Sequence, residues 1–266
     1  MGAAWTMAAV ALLSLVCYYE FARATQMLGE RTINAVVAAG ICLVTFAVVD
    51  HYDRLFFASV PLTIVLLAVI TIPADRPQGY VHRVALATFG FLLFGFCLGY
   101  VGNFANVADL GNGADYRPLL VTIILAVAMN DMLAYCVGKA LGRTKLLPNT
   151  SPGKTIAGSL GALIVAGPVI ALLFHFVLRG TPADKLSVLA TLGIGISALG
   201  HLGDLVVSSI QRDVGIKDTG SVRPGHGGLL DRFDSLILVP PAVVHYLSLK
   251  LGPLAAGEPA RIFSGG

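Results

Sequence analysis

Four aspartates stand where the sequence should not tolerate them. Asp131 and Asp204 each interrupt a long apolar stretch, and Asp231 and Asp234 open another. A charged side chain at the centre of a membrane span costs on the order of 2.5–3.5 kcal/mol on insertion scales. The spacing of Asp231 and Asp234 puts both on one face of a helix. Like charges gathered in an apolar setting repel, and a lone buried carboxylate protonates. A divalent cation resolves both difficulties. Magnesium takes carboxylate oxygens and keeps substrate phosphates among its other ligands. Two polar segments accompany the aspartates: GKALGRTKLLPNTSPGKT at 138–155 and SSIQRDVGIKDTGSVRPGHGGLLDRFD at 208–234. Their glycines expose backbone N–H groups that can cradle oxyanions. Arg143, Lys145, Lys154 and Lys217 supply cations for phosphate charge. This is the equipment of phosphoryl or nucleotidyl transfer, and the acceptor could be a lipid whose head group sits at that depth.

The elements that must position these residues follow from composition. Of 266 residues, 56% are hydrophobic and 12% charged, against roughly 25% charged in a typical soluble domain. Mean hydropathy is +0.81. So few charges cannot cover a water-facing surface, and the apolar residues fall in long continuous runs. A helical span needs about 20 such residues, and eight candidates lie at roughly 3–22, 33–50, 55–73, 83–105, 118–141, 156–178, 187–209 and 233–251. Barrel strands would alternate apolar and polar instead. The expected fold is all-α: a polytopic integral membrane helical bundle of about eight transmembrane helices. It divides into N-terminal transmembrane helices (1–115), a catalytic region with two cytoplasmic loops (116–252) and a flexible tail (253–266). The net charge of +3 is too small to imply a nucleic-acid partner. Cys17, Cys42, Cys97 and Cys136 each lie in an apolar run, with no metal-ligand spacing.

Orientation follows from the Lys/Arg bias of the loops. The odd-numbered loops hold Arg23, Arg31, Arg76, Arg83, Lys139, Arg143, Lys145, Lys154, Arg212, Lys217, Arg223 and Arg232, which is 12 of the 18 basic residues. These loops are expected in the cytoplasm, with both termini outside. At 1.5 Å per residue, Asp131 then lies roughly 20 Å and Asp204 roughly 26 Å into their spans. Both fall in the cytoplasmic half, beside Asp231 and Asp234. Plainer roles exist for single features. Asp131 could pair with Lys139 or Arg212, and Gly138 with Gly142 forms a GxxxG pair of the kind that packs helices.

Segment 208–234 resembles the signature of the phosphatidate cytidylyltransferases, the CDP-diacylglycerol synthases. The matching positions are Ser208, Ser209, Ile210 and Arg212, then Lys217-Asp218, then His226-Gly227-Gly228-Leu229-Leu230-Asp231-Arg232-Phe233-Asp234. Gly203-Asp204-Leu205 resembles the family's G-D-L. Asn130-Asp131, Ala134-Tyr135, Gly138, Gly142-Arg143, Ser151-Pro152, Lys154-Thr155 and Gly158 match upstream. Glu20-Phe21 resembles a frequent pair at the end of a first span. The resemblance covers roughly residues 130–240, and the N-terminal half only in hydropathy. Gln211 stands where the family usually has Lys, Ala157 where it has Glu, and Arg223 where a hydrophobe is common.

The resemblance implies a magnesium-dependent nucleotidyltransferase that converts CTP and phosphatidic acid into CDP-diacylglycerol and pyrophosphate. It implies a catalytic set of Asp204, Asp231, Asp234, Lys217 and Asp218. Asp131, Asp204, Asp231 and Asp234 would hold two cations, of which the second could be monovalent. Substrate contacts fall to Asn130, Asp131, Tyr135, Arg143, Ser151, Lys154, Thr155, Ser208, Arg212, His226, Gly227, Gly228 and Arg232. The setting implied is a lipid bilayer, of the bacterial inner-membrane type, with the active site facing the cytoplasm; a homodimer is compatible by family analogy. Competing readings are a CTP-dependent kinase or cytidylyltransferase acting on another lipid, a divergent homologue of low activity, and an ion-coupled carrier. The carrier leaves the H-G-G-x-x-D-R-x-D run unexplained.

Overall fold

The computed structural model describes residues 2–107, 110–113, 116–220, 227–252 and 263. His226 and Arg223 lie outside the described residues, as does the expected tail apart from Phe263. Among the described residues, seven helices are long and apolar enough to cross a membrane: α1 (Ala4–Ala24), α2 (Arg31–Val49), α3 (Asp53–Ala74), α4 (Tyr80–Phe104), α5 (Arg117–Leu141), α6 (Ile156–Leu178) and α7 (Leu186–Asp213). The protein is an all-α, polytopic membrane bundle. Large apolar side chains such as Val121, Ile164, Leu172 and Phe176 are exposed on its helices, as a lipid-facing surface requires.

Two expectations are modified. The eighth expected span, 233–251, is broken into α8 (Leu230–Phe233), a 3₁₀ turn (Asp234–Leu236) and α9 (Val239–Leu251). Pro240 and Pro241 have no N–H to donate and fall in the first turn of α9, where that donor has no intrahelical partner to lose. The 13 residues of α9 are fewer than the ~17–25 that a span needs. The segment between α5 and α6 is not plain loop either. It forms an antiparallel hairpin, β1 (Lys145–Leu147) with β2 (Ser151–Thr155), pairing Lys145 with Thr155 and Leu147 with Ser151.

Contacts divide the chain into two compact units. The first contains α1–α4 and the segment Thr219–Leu230. Its core is aromatic: Phe21, Phe56, Phe91 and Phe94 are almost wholly buried. Glycines let the helices approach, since a side chain at Gly90 would meet Phe21 and Tyr18, and one at Gly99 would meet Val44. Glu20 of α1 is buried, and its two oxygens accept the backbone N–H groups of Leu229 and Leu230, at 3.0 and 2.8 Å. Gly220 and Gly228 pack backbone to backbone against that carboxylate, leaving no room for a Cβ at either.

The second unit comprises Val107–Asp218 and Asp231–Ala256. Here α6 and α7 pack as a tight pair, with Gly193 against the carbonyl of Gly167. The end of α5 packs on the start of α6, with Gly138 against Gly158 and Val137 against Gly161. Thr155 caps α6, accepting the Gly158 N–H at 3.1 Å. That capping bond explains the S-P-x-K-T run: a short strand ends in an N-cap threonine.

Candidate active site

All four aspartates belong to the second unit, and three of them come together. Asp131 comes from α5, Asp204 from α7 and Asp234 from the 3₁₀ turn, and they lie close enough for their charges to interact. Two glycines of α7 make this possible. A side chain at Gly203 would collide with the carbonyl of Asp234, and Gly200 lies beside Ser235 and Asn130. The G-D-L run therefore has a steric reason: the glycine admits the turn that brings Asp234 to Asp204. The turn is held locally, because Asp234 accepts the N–H of Ser235 at 2.6 Å, and the Ser235 hydroxyl reaches Asp131.

Lys154, on β2, supplies the opposing charge. Its Nζ lies 2.7 Å from Asp204 Oδ2 and donates to the carbonyl of His201 at 3.4 Å. Asp204 also accepts from Ser208 Oγ, one turn along α7, at 3.1 Å. Asp131, Tyr135, Lys154, His201 and Asp204 border a cavity of about 580 Å³, with Lys139, Lys145, Ser151, Thr155 and Gly138, Gly142 and Gly153 around it. That volume lies within the usual ~300–1,000 Å³ range of small-molecule sites. A larger cavity, about 840 Å³, lies between α6 and α7 but is lined almost entirely by apolar side chains. Its polar lining is His175 and Asp184, bonded to each other at 2.6 Å.

The other expected site residues are placed as follows. Asn130 is buried behind the cavity wall and bonded to Ser197 and His201. Asp231 accepts from Gln211 Nε2 at 2.6 Å through its Oδ1. Gln211, where the resemblance expects Lys, thus still serves as a donor to a carboxylate. Arg212 ties the hairpin turn to the end of α7, donating to the carbonyls of Thr150 and Ile216. Arg143, Lys217, Asp218 and Arg232 are exposed, and Ser208 is half-buried; none of these five borders the 580 Å³ cavity. Gly227 and Gly228 follow the undescribed stretch, and Gly228 is the one held against Glu20.

The side chains suit magnesium by type. Among the described residues, no three His, Cys, Asp or Glu side chains are grouped as a ready-made metal cage. Magnesium does not demand one, since it is commonly held by one or two carboxylates plus substrate phosphates. Asp131, Asp204 and Asp234 offer hard oxygens of that kind.

His201 was not singled out from the sequence. Its signal was available: it lies one helical turn beyond Ser197 and three residues before Asp204, so all three share one side of α7.

The whole of this arrangement falls within a stretch, residues 1–250, that matches a family described as the cytidylyltransferase family. The chain belongs to the cytidylyltransferase family. It is therefore grouped with nucleotidyltransferase enzymes. It is 34% identical over 255 residues to the uncharacterized protein YnbB of Escherichia coli (strain K12), covering 92% of this chain and 80% of that one. It is 35% identical over 167 residues to the phosphatidate cytidylyltransferase of Bacillus subtilis (strain 168), covering 63% of this chain and 59% of that protein. The phosphatidate cytidylyltransferase of Staphylococcus aureus (strain COL) is 39% identical over 163 residues, 58% of each chain. The matched region thus spans about three-fifths of the length of the phosphatidate cytidylyltransferases.

Proposed function

We propose that this protein transfers a cytidylyl group from CTP to the phosphate of phosphatidic acid, giving CDP-diacylglycerol and pyrophosphate, at the cytoplasmic face of a bacterial inner membrane. The observation that carries this reading is the meeting of Asp131, Asp204 and Lys154 beside one cavity, with Asp234 close to both aspartates, within a membrane-length helix bundle of the cytidylyltransferase family. The phosphatidate cytidylyltransferases among its relatives supply the substrate pair.

The phosphate of phosphatidate is already anionic near neutral pH, so attack on the α-phosphorus of CTP needs no strong base. The protein's work is positioning and charge neutralisation. Lys154 is poised to leave Asp204 for a substrate phosphate, and Lys145 adds a second cation at the cavity edge. Tyr135 and Ser151 offer hydroxyls on the same wall. Asp204 and Asp234, with Asp131 beside them, would hold magnesium, which supplies neutralisation of the nucleotide and lipid phosphates when bound. Asp231, steadied by Gln211, lies on the same run of chain as Asp234. Lys217 and Asp218 are included on the family resemblance alone.

The test is incubation of membranes containing the protein with CTP labelled on the α-phosphate, phosphatidic acid and magnesium, followed by lipid extraction. Label should enter the lipid phase and pyrophosphate should be released. Transfer of the terminal phosphate to a lipid, with CDP left in water, would replace this reading with a kinase. Absence of any lipid product would overturn it.

A further inference from the structure

We propose that His201 contacts substrate directly, presenting its Nε2–H as a hydrogen-bond donor to a substrate phosphate oxygen. This rests on the phosphate-transfer reading above and adds a residue to it.

The argument begins with Asn130. The Ser197 carbonyl can only accept, and it lies 3.4 Å from one end of the Asn130 amide, which makes that end the nitrogen; Ser197 Oγ then donates to the other end, Oδ1, at 2.6 Å. The amide nitrogen therefore points the other way. It donates to the Ser197 carbonyl at 3.4 Å and stands 3.3 Å from His201 Nδ1. An amide NH₂ only donates, so Nδ1 must accept. A neutral imidazole that accepts at Nδ1 carries its proton on Nε2. Asn130 and Ser197 are completely buried, so water does not compete for these bonds. The tautomer is imposed by two buried residues, one from α5 and one from α7.

That donor is wanted where it stands. His201 borders the cavity together with Asp131, Asp204 and Lys154. Two carboxylates on the wall repel a phosphate, and every donor there offsets some of that repulsion. The carbonyl of His201 also accepts from Lys154 Nζ, which keeps the imidazole and the ammonium at one locus. The ring is half-buried, with its Nδ1 side committed to Asn130.

The test uses the purified full-length protein in lipid nanodiscs. Affinity for CTP is measured without lipid substrate, and KM for phosphatidate at saturating CTP. His201→Leu, which keeps bulk and removes both nitrogens, should weaken one of these by about 10- to 100-fold, the worth of one hydrogen bond to a charged group. A loss in CTP affinity assigns the bond to a nucleotide phosphate; a rise in KM for phosphatidate assigns it to the lipid phosphate. His201→Gln can accept from Asn130 through Oε1 and donate through Nε2, so it should recover to within about threefold. Thermal stability of both variants is followed to confirm that they fold. Unchanged affinities in His201→Leu overturn the proposal. So does a His201→Gln variant as defective as His201→Leu, because packing alone would then explain the residue. If the wild type binds CTP but forms no CDP-lipid, the functional reading falls, and the CTP-binding comparison still decides on His201.

Discussion

Replacing Glu20 with Gln should release the segment that follows the H-G-G run. Glu20 is 4% exposed, and its two oxygens each accept one backbone N–H, from Leu229 and Leu230. Gln keeps the shape but turns one acceptor into an NH₂, which faces a backbone donor, and leaves the other bond neutral. Bonds to a charged group contribute about 1.5–3 kcal/mol each and neutral ones about 0.5–1.5. The net loss is therefore about 2–4 kcal/mol, which raises local opening roughly 30- to 1,000-fold. Hydrogen exchange of the peptide spanning Gly228–Leu230, followed by mass spectrometry in nanodiscs, reads this directly. The core of α2 around Val37 and Ile41, which Glu20 does not touch in this network, should exchange as before. Unaltered exchange at Leu229 and Leu230 would refute the reasoning, because the carboxylate would then not be what holds them. Since Leu230 is followed in the chain by Asp231, the same variant should also lose turnover.

Three further outcomes are expected. Lys154→Met should lower CTP turnover by about 100-fold, with Lys154→Arg intermediate, measured as label entering lipid; the Lys154–Asp204 pair is partly exposed, so thermal stability should change little. Gly142→Ala should destabilise the protein by about 1–3 kcal/mol, because a Cβ there would collide with the Gly138 carbonyl and Thr155; Gly153→Ala, which meets nothing within 4 Å, should leave the melting temperature unchanged. Ser208→Ala removes a donor to Asp204 and should raise the magnesium concentration for half-maximal activity about 10-fold; an unchanged magnesium dependence would argue against Asp204 as a ligand.

Much of the fold was legible because hydrophobicity is additive along a chain. Each of the seven long helices coincides with an apolar run that could be counted, and the aspartates were conspicuous against that background. The eighth segment was misjudged in form because an average over 233–251 hides two local facts. Asp234 draws the N–H of Ser235 into a turn, and Pro240-Pro241 suit the first turn of a new helix. The hairpin at 145–155 is not legible because strands of three and five residues leave no usable periodicity.

Pairing was a different matter. The sequence by itself determined a membrane bundle, the segments that carry chemistry, and the carboxylates that must be compensated. It left open whether Asp131 pairs with Lys139 or Arg212. The tertiary structure instead gives Lys154 to Asp204, Gln211 to Asp231 and Ser235 to Asp131. It also brought in His201 through Asn130, a partner 71 residues away. These choices depend on how closely backbones approach, and that depends on glycines at Gly138, Gly158, Gly200 and Gly203 meeting particular neighbours. A composition or a motif records that a glycine is present. Only the packed helices decide which carbonyl or side chain fills the space it leaves, and so which charge stands beside which.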